Sequence, residues 1–160
     1  MEYLFDTNIF ITSKNDCPSD VWPTLWMRFA ELIRGGKIYS SIKVKEEIEQ
    51  GNDELINWMK TNTTEAFYIP LDNEILRKYA ETQNWANNNP TFNEDALHTY
   101  ADVADAYLVA TAAARNMVLV TFEKSNPYCK RRVMLPDACK ALGVACCDLN
   151  DAFRELKVKI

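Results

Sequence analysis

Met117-Val118-Leu119-Val120-Thr121 is the stretch on which the fold turns. It is an apolar, β-branched run of strand length, and nothing in it alternates as a half-exposed strand would. An Ala-rich helix, read over Asp102 to Arg115, leads into it, and Phe122-Glu123 follows it. A buried strand fed by a helix is the repeating unit of a parallel sheet.

The same alternation extends in both directions. Tyr3-Leu4-Phe5 reads as a first strand ended by the turn-favouring triplet Asp6-Thr7-Asn8. Trp22, Leu25, Trp26, Phe29, Leu32 and Ile33 recur at helical spacing between the cap Ser19 and Gly35-Gly36. Trp22, Trp26 and Phe29 are read as core, with a dimer face as the other reading. Lys37 to Ser40 is a second strand, and Ser41 caps a helix that Gly51 ends. A short helix over Asp53 to Lys60, an extended Phe67–Leu71 and a helix from Asp72 to about Trp85 follow. Asn87 to Pro90 is a loop, and His98 is placed in a loop as well. The end of the chain reads as a short helix around Ala138–Leu142, a strand Val144–Cys147 and a helix from Leu149 to Leu156. The fold class is therefore α/β: one domain over residues 1–160, with a central, mostly parallel sheet of four to five short strands and helices on both faces.

Composition narrows the function. The 160 residues are 48% hydrophobic and 26% charged, with no apolar run of membrane-spanning length. The opening lacks the basic and apolar regions of a signal peptide, so a cytoplasmic location without membrane association is expected. Five cysteines without a C-x-x-C pair and a single histidine argue against zinc and fit a reducing compartment. A net charge of −5 argues against a broad basic grip on nucleic acid. It leaves room for a site whose own carboxylates are offset by a bound cation. Only four glycines occur, and none forms a phosphate-cradling turn after a strand, so a nucleotide-binding loop is excluded.

Ligands of an open parallel sheet bind beyond the carboxyl ends of its strands. Asp6 emerges there from the first strand, and Glu123 just beyond the Met117–Thr121 strand. Asp102 and Asp105, three residues apart in the first turn of the helix read over Asp102–Arg115, start at the same edge. Glu46 and Glu47 lie on the helix after the second strand. Taken singly, such acids favour a helix dipole, end a turn or, like Glu46, Glu49 and Glu54, form a solvated face. Together they repel one another unless a cation joins them, and oxygen donors without His or Cys select Mg²⁺ or Mn²⁺. A haloacid-dehalogenase-like enzyme would want a second acid in Asp6-Thr7-Asn8, which is missing.

Four segments resemble the motifs of the PIN-domain superfamily, particularly a bacterial and archaeal branch once grouped only as a domain of unknown function. They are Leu4-Phe5-Asp6-Thr7-Asn8-Ile9-Phe10, Val44 to Gly51, Ala104 to Ala110, and Val118 to Glu123. In the second segment the motif frame selects Glu47 over Glu46, and in the fourth a Glu stands where Asp is usual. The segment Lys130 to Asp137 also resembles that branch. The resemblance implies a PIN-like domain and a ribonuclease dependent on Mg²⁺ or Mn²⁺, with Asp6, Glu47 and Asp105 as metal ligands and Glu123 as a fourth catalytic acid. It implies supporting places for Asp102, Thr7, Asn8, Thr121 and Ser125, which could hydrogen-bond to ligands or water. RNA is the implied substrate, with Lys124, Lys130, Arg131 and Arg132 on flanking phosphates. A small antitoxin and a second copy in a homodimer are the implied protein partners, and the alternative is a non-catalytic PIN-like scaffold that binds RNA or protein. Alanine at three positions of the basic run should weaken RNA binding and flatten its salt dependence. Binding that stays the same across a salt titration would remove that role.

Overall fold

Parallel pairing on both sides of Tyr3–Phe5 organises the chain. In a computed structural model that describes residues 1–51 and 53–160, this strand (β1) pairs with Ile38–Ser41 (β2) on one side and Val118–Val120 (β4) on the other. Tyr3 lies opposite both Ile38 and Val118. Tyr68–Ile69 (β3) extends the sheet beyond β2, and Cys146–Cys147 (β5) extends it beyond β4. All pairs are parallel and the strand order is β3-β2-β1-β4-β5. The chain therefore builds outward from β1 in one direction and then returns to build in the other. That reversal makes the seam between β1 and β4 a topological switch point, the place at the carboxyl ends of the strands where open parallel sheets bind their ligands.

Nine α-helices are present among the described residues: α1 (Thr7–Asp16), α2 (Pro23–Arg34), α3 (Ile42–Gln50), α4 (Glu54–Asn62), α5 (Asn73–Asn87), α6 (Glu94–Asp102), α7 (Ala104–Arg115), α8 (Leu135–Ala141) and α9 (Leu149–Glu155). Side-chain caps start several of them. Ser41, Asp53, Asp72, Asn93 and Asp148 each accept a hydrogen bond from an N–H of the first turn, which would otherwise lack a partner. No described helix is long and apolar enough to cross a membrane.

Several elements differ from the sequence expectation for identifiable reasons. Asp6-Thr7-Asn8 is not a turn but the direct entry to α1. That helix buries Thr7 and Ser13 together with Ile9 and Phe10, so polar residues interrupt its apolar period. Helix α2 begins at Pro23, not Ser19, because proline lacks an N–H and suits the first helical position. The extended Phe67–Leu71 shrinks to two strand residues that stop before Pro70, which has no N–H to pair. The helix read from Asp102 is two helices, broken at Val103 by extended backbone (φ −87°, ψ 169°). His98 lies on α6 and is exposed, not in a loop.

The aromatic core ties the first helices to the sheet. Phe29 is fully buried, edge-on to Phe5 at 6.2 Å and Phe10 at 5.6 Å, and tilted against Phe153 of α9 at 6.0 Å. Trp26 is buried beside it, whereas Trp22 remains 47% exposed. On the other side, α7 is buried along Ala104, Ala106, Leu108, Val109, Ala110 and Ala112, whose small residues let α5 pack closely upon it. Phe29→Ala should cost about 3–5 kcal/mol, because the cavity abuts four aromatic rings and cannot collapse freely. Urea unfolding measures this, and a loss below about 1 kcal/mol would contradict the packing.

Candidate active site

Asp6 continues β1 by one residue. Its N–H donates to the Val120 carbonyl at 3.0 Å, and its own carbonyl accepts from Ile9 N–H as α1 begins. This fixes its backbone at the β1/β4 seam and leaves the carboxylate 1% exposed. Thr121, the residue after β4, donates its hydroxyl to Asp6 Oδ2 at 2.9 Å. The same Thr121 oxygen accepts the Glu123 N–H at 3.1 Å, so one hydroxyl links the acid that ends β1 to the acid in the loop after β4.

Glu47 is turned inward from α3 while Glu46 and Glu49 face solvent and pair with Lys43 and Lys45. Its Oε2 accepts from the Thr7 hydroxyl at 2.9 Å, and its Oε1 from the Ala104 N–H at 2.7 Å. Glu47 thereby caps α7 from outside that helix, and Asp105 stands in the first turn beside it. Arg132 bridges the remaining pair: its Nη2 lies 3.2 Å from Glu123 Oε1 and 3.7 Å from Asp105 Oδ2.

Burial and neighbouring charge raise the carboxyls of Asp6, Asp105 and Glu123. Burial pushes the Asp105 carboxyl up to about 8; the charges of Asp6 and Glu123 add to this, Arg132 opposes it, and Glu47 contributes a smaller push upward. Burial likewise raises Asp6, against the Thr121 hydrogen bond and the Asn8 N–H, with the Glu47 charge adding to the rise. Glu123 is raised by burial first, then opposed by Arg132, raised further by Asp6 and lowered by the nearby Leu135 N–H. That N–H favours the charged form without completing a hydrogen bond. Both Glu123 oxygens and Asp6 Oδ1 are buried without a hydrogen-bond partner. Orphaned carboxylate oxygens of this kind are what a hard divalent cation takes as ligands, and the donor set suits Mg²⁺ or Mn²⁺. As the side chains stand, no three described His, Cys, Asp or Glu residues converge closely enough to hold one ion.

Asp6, Glu47, Asp105 and Glu123 are linked in pairs at this edge: Thr121 joins Asp6 to the Glu123 backbone, Arg132 lies between Glu123 and Asp105, and Thr7 meets Glu47. Other expected site residues stand elsewhere. Asp102 does not share a helix face with Asp105; the break at Val103 leaves it exposed at the end of α6. The Asn8 side chain is exposed, and its backbone N–H is the group turned to Asp6. Ser125 is exposed and donates to Asp137, not to any of the four acids. Lys124, Lys130 and Arg131 are exposed, and no ion pair engages them among the described residues. Arg132 lies against Asp105 and Glu123 instead of extending toward solvent with them. Two contributors escaped the sequence reading. The Ala104 N–H carries no side-chain signal, and Asp137 ties the loop after Glu123 by accepting from Ser125 and the Asn126 N–H. The Pro136-Asp137 start of α8 was the available hint.

Residues 3–160 match the family model described as "Domain of unknown function (DUF4411)". Comparison with curated proteins finds no match. Among solved structures, FitAcB from Neisseria gonorrhoeae is similar over 90% of this chain and 95% of that chain, at 20% identity and a TM-score of 0.51. VapBC2 from Rickettsia felis, bound to a DNA fragment from their promoter, is similar over 76% of this chain and 87% of that chain, at 16% identity and a TM-score of 0.51. At these identities the likeness is one of fold.

The raised acids make the metal-free protein sensitive to pH. Between about pH 4 and 8 folded Asp105 holds a proton that the unfolded chain has released, so stability falls as pH rises through that window. Asp53 and Asp72, whose carboxyls are lowered, act in the opposite sense, as pH drops below the usual carboxylate range. In chelator, unfolding free energy should decline by on the order of 2–4 kcal/mol from pH 5 to pH 8. Asp105→Asn should flatten that decline. Equal slopes for the two proteins in urea titrations would show that Asp105 is not the group responsible.

Proposed function

The chain belongs to the DUF4411 family, and we propose that it is an endoribonuclease that hydrolyses RNA phosphodiesters with Mg²⁺ or Mn²⁺ held by carboxylates. The supporting observation is that the charges of Asp6 and Glu123 reach Asp105 at one sheet edge, with three oxygens of Asp6 and Glu123 buried without hydrogen bonds. A fold gains no stability from such an arrangement by itself. The PIN-like fold, with its switch point at these acids, is consistent with that reading.

Asp6, Glu47 and Asp105 are assigned as the metal-holding acids, and Glu123 as the fourth acid of the site. Thr121 orients Asp6 by occupying Oδ2, which leaves the buried Oδ1 as the carboxylate oxygen without a partner. Thr7 and the Ala104 N–H fix Glu47 in the same way, each oxygen keeping a second lone pair. Held by these acids, a divalent cation would supply a bound water of lowered pKa and would offset charge on the scissile phosphate. No histidine base is needed, which suits a chain whose one histidine is exposed on α6. Lys124, Lys130 and Arg131, exposed in the segment after Glu123, are assigned to the flanking phosphates.

The whole chain, residues 1–160, is read as one nuclease domain. Its place as the toxin of a toxin–antitoxin pair, its silencing by a small antitoxin, its assembly as a homodimer and its cytoplasmic location follow from the PIN-like resemblance.

Purified protein with Mn²⁺ is expected to cut single-stranded RNA, and chelator to stop it. Thr121→Val, which strips the hydroxyl from Asp6, should slow cleavage about 10–100-fold, and Asp6→Asn or Asp105→Asn by more. If wild type leaves RNA intact and behaves as the Asp6→Asn/Asp105→Asn protein does, the chain is a non-catalytic scaffold.

A further inference from the structure

Arg132 is held at the rim of the acidic site by its neighbours and not by its own side chain. The Lys130 carbonyl accepts a hydrogen bond from the Asn93 N–H at 3.0 Å, and Val133 is buried. The backbone between these anchors has little freedom, while the Arg132 side chain is 49% exposed. Its partners differ sharply from it: the Glu123 and Asp105 side chains are 9% and 15% exposed. The guanidinium is thus the one positive side chain reaching these two buried carboxylates among the described ion pairs.

The contact is electrostatic more than directional. Glu123 Oε1 makes no hydrogen bond despite an Nη2 at 3.2 Å, and 3.7 Å to Asp105 is beyond hydrogen-bond range. The arginines of the surface ion pairs behave differently. Arg28 bonds Glu31 at 2.9 Å and Arg154 bonds Asp151 at 2.8 Å. Arg132 is therefore a half-exposed charge resting on two acids without a completed hydrogen bond to Glu123, both of whose oxygens lack a partner. Its planar fork of donors suits a phosphate better than this skewed pair of carboxylates.

We propose that Arg132 is the internal counter-ion of the site, competing with a divalent cation for Asp105 and Glu123 and turning to an RNA phosphate once displaced. The inference rests on the metal-site reading above and assigns Arg132 a role distinct from the exposed Lys124, Lys130 and Arg131. Because the guanidinium and the cation use the same two carboxylates, each weakens binding of the other by the same factor. Metal loading would then prepare the phosphate contact, since it frees the arginine at the position where the substrate's charge arrives.

Calorimetric titration of the full chain with Mn²⁺, without RNA, tests the exchange directly. Arg132→Ala should bind Mn²⁺ roughly fivefold more tightly, equivalent to about 1 kcal/mol. Lys140→Ala, which removes the same charge from the neighbouring α8, should change the affinity less than about twofold. Arg132→Lys, which keeps a positive charge there, should stay near wild type. At saturating Mn²⁺, Arg132→Ala should raise KM for RNA roughly tenfold with a smaller change in kcat. Tighter metal with weaker substrate is a pair of opposite effects that simple structural damage would not produce. Wild type that binds Mn²⁺ and cuts RNA, while Arg132→Ala binds Mn²⁺ no more tightly or leaves KM unchanged, overturns the counter-ion role and leaves the metal site standing. Failure of both proteins to bind Mn²⁺ removes the metal site and this inference together.

Discussion

Repulsion among buried carboxylates at the β1/β4 seam is the constraint around which the rest of the site is arranged. Asp6 is almost wholly buried, and its charge raises the proton affinity of both Asp105 and Glu123, with Glu123 adding to the rise at Asp105. Each is reached from a different element: the end of β1, the first turn of α7 and the loop after β4. Their approach is opposed by charge, so the scaffold has to enforce it. Three devices do so. The Asp6 N–H is locked into the sheet ladder, Thr121 ties Asp6 to the Glu123 backbone, and Glu47 clamps the start of α7.

These devices are inexpensive because each group also completes a hydrogen bond that the fold requires. The Ala104 N–H would otherwise be an orphan of the helix start, since Val103 offers no side-chain cap. The Thr7 hydroxyl, buried in α1, finds its partner in Glu47. Polar groups that the architecture must satisfy are thus satisfied at this edge, and three buried oxygens, one of Asp6 and two of Glu123, are left over. The aromatic cluster around Phe29 supplies rigidity behind them, anchoring β1 and α1 to α2 and α9.

What could be read from the sequence depended on whether a signal was local. Val118–Val120 and Tyr3–Phe5 announce themselves as buried strands by unbroken apolar runs, and Ser41, Asp53 and Asp72 announce helices by capping. Asp6, Glu47, Asp105 and Glu123 could be placed at one edge because strand ends and helix starts share that edge in a parallel sheet. Helix α1 escaped because its buried face includes Thr7 and Ser13, and the α6/α7 break escaped because Val103 carries no glycine or proline mark. Asp102 was misplaced as a result. The Arg132 contact was beyond sequence reading altogether: a basic run looks the same whether its members face solvent or two buried acids.

Diffraction from crystals grown with Mn²⁺, using the anomalous signal to locate the metal, tests the central claim most directly. The carboxylate-site account predicts a single dominant peak in the β1/β4 crevice, about 2.1 Å from Asp6 Oδ1 and from an oxygen of Asp105 or Glu123. It also predicts that the Arg132 guanidinium has left the acids. A peak only on surface carboxylates remote from the seam, or none there at saturating Mn²⁺, would contradict it.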